Sequence, residues 1–117
     1  MSEKALANEG FYYPPYPYPA DDCDYDSLDA GIRDYVRILR KAGIETYESC
    51  EGGEGHAYPE PTIRFHGERG EGFRAISVAF DYALPVACLR RVWVVQDGEL
   101  VGPEWEVVFW KKGATGE

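Results

Sequence analysis

The sequence predicts an α+β fold of order αββαββ: two helices on one face of a four-stranded, mostly antiparallel sheet. This is a permuted ferredoxin-like layout, preceded by an extended Pro/Tyr-rich N-terminal arm. Three observations predict it. Apolar residues recur at helical spacing in two windows, about 27–42 and 72–84. Each window is followed by two short segments rich in β-branched and aromatic residues. The 117 residues, 44% hydrophobic and 28% charged, suffice for one core and fall short of two ordinary domains.

Taken in order, residues 1–20 form the arm. Phe11-Tyr12-Tyr13-Pro14-Pro15-Tyr16-Pro17-Tyr18-Pro19 alternates proline with aromatics, which excludes a helix or a central strand and favours polyproline II. Tyr12, Tyr13, Tyr16 and Tyr18 make it either a cover for the domain's own apolar surface or a partner-binding arm. Residues 21–112 are the single α+β domain. Asp26 or Ser27 can cap the first helix; Leu28, Ile32, Tyr35, Val36 and Leu39 form its apolar stripe, and Gly43 stops it. Arg33, Arg37, Arg40 and Lys41 read as its solvated face. Strands follow at 44–50 and 62–67, the second with Ile63 and Phe65 inward and Thr62, Arg64 and His66 outward. Gly72 precedes the second helix, with Phe73, Ile76, Ala79, Phe80, Ala83 and Leu84 as its apolar face and Pro85 as its stop. Residues 89–96 and 105–110 are the last strands, with Asp97-Gly98 as a tight-hairpin signal. Residues 113–117 read as a disordered tail.

Charge and cysteine content narrow the function classes. No stretch approaches the roughly 20 apolar residues of a membrane span, and the start of the chain has no apolar run, so a cytoplasmic protein is expected. Cys23, Cys50 and Cys88 are an odd number without a secretion signal, which points to reduced thiols, Cys88 most simply in the core. The net charge of −9 is uneven: residues 1–26 and 45–60 each carry −5, while 27–44 carry +2 and 61–117 carry −1. Such a surface disfavours direct nucleic-acid binding, which needs Lys and Arg against phosphates. It suits metal ions or basic protein surfaces.

The acidic segment 45–60 holds the most informative run, Ser49-Cys50-Glu51-Gly52-Gly53-Glu54-Gly55-His56, at the point where a strand gives way to a loop. Glycines there can expose backbone N–H groups to a ligand, and Cys and His are the usual recruits for nucleophilic or metal chemistry. As a nucleophile, Cys50 would need His56 or His66 as base, but Glu48, Glu51 and Glu54 surround the thiol, and negative charge raises a thiol pKa. As metal ligands, Cys50 and His56, with Cys23 or His66, lack any C-x-x-C or H-x-x-x-H spacing, so no metal and no cofactor are expected. Acidic pairs drawn from Asp21, Asp22, Asp24, Asp26 and Glu51 read as caps and turns. A further reading seats a small anionic ligand on the N–H groups of Gly52, Gly53 and Gly55, with Ser49 and His56 as polar contacts. Equally, the glycines can simply make a wide turn, with Cys50 in the core.

The pattern Thr46-x-x-Ser49-Cys50-x-Gly52-Gly53 followed by His56 resembles one found in small uncharacterised proteins of phages, prophages and their bacterial hosts, over residues 21–112. The Ser49-Cys50-x-Gly52 core is also similar to the S-S-C-S-G-R motif of wybutosine-synthesis methyltransferase-like proteins, with Glu48 for the first Ser and Gly53 for the Arg. Together with the charge, the phage resemblance implies a small acidic binding protein without catalysis that occludes a basic, nucleic-acid-binding surface of a host protein such as a defence effector, in the manner of an anti-CRISPR. The alternatives are a small-molecule or nucleotide-binding module using the Ser49–His56 loop, and a metal- or thiol-dependent enzyme. The oligomeric state is left open.

Overall fold

A computed structural model describes residues 21–111; the expected arm, with Tyr12, Tyr13, Tyr16 and Tyr18, and the expected tail lie outside the described residues. A single 3-10 turn at Tyr25–Ser27 leads into α1 (Ala30–Lys41), so the helix starts later than Asp26 or Ser27 would place it, with Asp29 at the N-cap. Strands β1 (Thr46–Cys50) and β2 (Thr62–Phe65) follow, then α2 (Arg69–Asp81) and the hairpin β3 (Val86–Gln96) and β4 (Glu99–Phe109). All pairings are antiparallel and the sheet order is β1-β2-β4-β3. That is the order of a ferredoxin-like sheet entered one strand late, as the element order predicts.

Both helices end in the same device. Gly43 takes a positive φ after α1, and Ile44 N–H returns to the Leu39 carbonyl while Gly43 N–H bonds that of Arg40. After α2 the residue in the left-handed position is Ala83, with Leu84 N–H on Ala79 and Ala83 N–H on Phe80. This double bond pattern satisfies carbonyls the helix would leave orphaned. Asp97 and Gly98 both have positive φ between paired Gln96 and Glu99, as a two-residue hairpin turn requires.

One core forms between the helices and the sheet. Ile32, Val36 and Leu39 of α1 and Ala75 and Val78 of α2 meet Ile63 and Phe65 of β2 and Trp105, Val107 and Phe109 of β4. Of the alternation predicted for residues 62–66, Ile63 and Phe65 are fully buried and Arg64 and His66 half-buried, but Thr62, expected outward, is buried as well. The face predicted for α2 holds only in part: Ala79 is buried and Ile76 and Leu84 pack against the core, but Phe73 and Phe80 are exposed, and the helix buries Gly72, Ala75 and Val78 beside Ala79. At Gly72 the reason is Trp105: a Cβ there would lie 2.6 Å from its indole, so the ring leaves no room for a side chain. Gly72 therefore sits inside the helix and does not precede it.

Two of the four cations expected on the solvated face of α1 depart from it, while Lys41 is exposed and Arg37 makes an exposed pair with Asp34. Arg33 donates to the carbonyls of Tyr25 and Leu28, and Arg40 to Asp21 and to Thr46. These staples tie the entry segment and the start of β1 to the helix. On the sheet face away from the helices, Glu106 is buried and accepts from Arg64 and Arg90, its two cross-strand neighbours. Beyond the reach of β2, the β3–β4 hairpin continues as a two-stranded projection with Trp93, Val95 and Leu100 exposed.

Candidate functional site

The glycine loop leaves β1 at Cys50 and is bound to the start of α1 by a reciprocal pair of hydrogen bonds. Glu51 N–H donates to Asp29 Oδ2 at 3.1 Å, and Gly31 N–H donates to Glu51 Oε1 at 2.8 Å. A helix has unsatisfied N–H groups in its first turn, and a capping box satisfies them from within the same segment. Here Glu51, 20 residues further on, does so across the fold. The contact is close: a Cβ at Gly31 would lie 2.7 Å from Glu51 Oε1. Glu51 is thus a structural carboxylate as well as a loop charge.

The glycines have separate reasons to be glycine. Gly52 has φ +82°, and a Cβ there would come within 2.4 Å of the Glu60 carbonyl carbon, so the outgoing and returning strands of the loop cross there. Gly53 and Gly55 also have positive φ but face open space or a distant ring edge. Of the N–H groups in the expected anion seat, those of Gly52 and Gly53 are engaged within the loop. Gly52 N–H points to Cys50 Sγ at 3.4 Å, and Gly53 N–H is taken by the carbonyls of Tyr58 and Pro59. The nearby Gly31 N–H is occupied by Glu51 as well.

His56 folds back over the loop. Its Nδ1 lies 3.5 Å from Asp29 Oδ2 and its Nε2 3.6 Å from Glu51 Oε2, with about a third of the ring exposed. Cys50 is buried, and its sulfur, a His56 nitrogen and an Asp29 oxygen all lie within 4.8 Å of one another. The sequence sets Cys50 and His56 together but gives no hint of Asp29, which comes from another element. For thiol catalysis the ring would need one nitrogen directed at the sulfur and the other at an orienting group. Both nitrogens instead have a carboxylate beside them, and the thiol lies under the surface.

The other expected participants are dispersed. Ser49 pairs with Ile63 and Cys50 with Thr62, so strand alternation turns them to opposite faces, and Ser49 stands outside the Cys50 group. Glu54 and Gly55 lie exposed at the loop's tip. His66 stacks on Tyr47 and bonds Glu104 at 2.8 Å. Cys23 belongs to the entry segment, where burial pushes its thiol up against the pull of Arg40. On the returning limb, burial first and then the Glu48 carboxylate push the Tyr58 hydroxyl up to about 12, and its ring carries the Arg64 guanidinium.

A cleft of about 410 Å³ opens between the glycine loop and the first turns of α1. Asp34 and Glu51 contribute carboxylates and Tyr35 and Trp110 aromatic rings, while Ala30, Gly31, Gly52 and Gly53 leave the space; Lys111 also lines it. Asp34 and Trp110 escaped the sequence reading. The signal for Asp34 was present, since it lies one turn beyond Ala30 on the exposed side of the α1 stripe. Comparison with known protein families, with curated proteins and with solved structures gives no match in any of the three.

Proposed function

We propose that the protein acts by binding, without catalysis of its own, and that the cleft beside the glycine loop receives basic side chains from a partner protein. The observation that carries this reading is the lining of the cleft: two carboxylates and two aromatic rings around a space kept open by small residues. Carboxylates pair with guanidinium and ammonium groups, and aromatic faces attract the same cations. The surrounding charge adds to it, because residues 45–60 carry five acids and no base. A field of that sign speeds the encounter with a basic surface. The partner class that fits is a host protein with a basic, nucleic-acid-binding face, which an acidic protein of this size would occlude. An anionic ligand fits less well, because the N–H groups of Gly31, Gly52 and Gly53 are turned to Glu51, Cys50 and the loop's own carbonyls.

Calorimetric titration with a short arginine-rich peptide tests the reading. Binding should weaken as salt rises, and Asp34→Lys and Trp110→Ala should each weaken it about tenfold, the effect of roughly 1.4 kcal/mol. If both variants bind the peptide as the parent protein does, the cleft is not the site.

A further inference from the structure

We infer that Asp29, Cys50 and His56 form a binding site for a zinc-class divalent metal ion, which would clamp the glycine loop onto the start of α1. The three residues come from three places in the fold: the N-cap of α1, the end of β1 and the far side of the loop. Their donor atoms already lie within 4.8 Å of one another. Ligands at 2.0–2.3 Å around a tetrahedral zinc stand roughly 3.3–3.8 Å apart, so about 1 Å of closure would bring all three onto the ion and leave its fourth position to water. Thiolate, imidazole and carboxylate together suit a borderline-soft ion. Calcium and magnesium prefer oxygen ligands alone.

The surroundings fit the same ion. With His56 Nδ1 and Asp29 on the metal, the other ring nitrogen faces Glu51 Oε2 at 3.6 Å, the kind of carboxylate that orients a metal-bound histidine. Glu51 is itself held by Gly31, so that outer group is fixed before the ion arrives. The buried sulfur anchors the site from within, while Asp29 and His56 are about a third exposed and leave a path from solvent. Binding requires the Cys50 thiol to release its proton to solvent as the S–metal bond forms, with no change of oxidation state, so affinity should rise with pH. The site lies next to the cleft but does not depend on the cleft's binding a partner.

Cobalt(II) reports the coordination directly. Added to the reduced full-length chain, one equivalent should produce a thiolate-to-cobalt charge-transfer band and the visible bands of a tetrahedral ion, and zinc should displace both. Cys50→Ser should abolish the charge-transfer band and Cys88→Ser should retain it. Since Cys50 is buried and its variant could fail to fold, His56→Ala provides the second reading: cobalt affinity should fall by more than about a hundredfold, beyond the loss expected from disturbing an outer-shell group alone. No charge-transfer band in the parent protein, or full affinity in His56→Ala, would overturn the assignment. Binding of the arginine-rich peptide is read in a separate titration, so either proposal can fail alone.

Discussion

At the scale of single residues, the loop separates charges that hold the fold from charges that do not. Glu51→Ala removes the cap on Gly31 and should cost about 1 kcal/mol, as N-cap losses do. Glu54→Lys, at the exposed tip, should stay within about 0.5 kcal/mol. Denaturant unfolding of the two variants checks the contrast. Gly52→Ala should cost more than about 2 kcal/mol, because strain at positive φ adds to the clash with Glu60. Trp105→Ala should cost about 3–5 kcal/mol through the cavity left beneath α2. In the sequence, Glu51 and Glu54 are indistinguishable: both are acids among glycines. Their difference arises from Asp29 and Gly31, some 20 residues away, and no local pattern encodes that meeting. The same is true of the group around Cys50, whose third member is the helix N-cap. The concentration of glycine, thiol and imidazole did mark the loop.

At the scale of elements, the two helix ends make the clearest comparison. Gly43 was legible as a stop because glycine is the ordinary residue in the left-handed position. Ala83 was not, and the sequence reading assigned it to the apolar face of the helix. With φ at 57°, Ala83 carries a steric cost that glycine lacks, so Ala83→Gly should raise stability by about 1 kcal/mol in chemical denaturation. The apolar face of α2 was legible only in part: Phe73 and Phe80 look like core by hydrophobicity yet lie exposed, while Gly72 is buried because the Trp105 indole takes the space of a side chain there. The entry segment has its own electrostatic tie. Burial alone would raise the Asp21 carboxyl, yet hydrogen bonds from Tyr25 and Arg40 outweigh it and hold the group below the ordinary carboxylate range. A lowered carboxyl favours the folded state above its unfolded pKa, and that contribution is lost as pH falls through the folded value. The protection factors of the amides at residues 21–25, taken relative to the intrinsic exchange rate at each pH, should therefore fall as the solution is acidified through and below the ordinary Asp range, and Asp21→Asn should remove that dependence.

At the scale of the whole molecule, the order αββαββ and the helix-covered antiparallel sheet were legible because periodicity, turn residues and the Asp97-Gly98 signal all agreed. The cleft was not, because it joins the start of α1, the glycine loop and the residues after β4, which only the sheet order brings together. Lys111 is the cation lining a cleft read as a seat for cations, so Lys111→Ala should tighten binding of the arginine-rich peptide, the opposite of Asp34→Lys. The exposed Trp93, Val95 and Leu100 of the projecting hairpin offer a rival surface on the same molecule. The most direct test is to map amide and indole chemical shifts of the labelled full chain while that peptide is added. The account predicts changes concentrated at Gly31, Asp34, Gly52, Gly53 and the Trp110 indole. Changes centred on the hairpin, or spread evenly over the acidic surface, would contradict it.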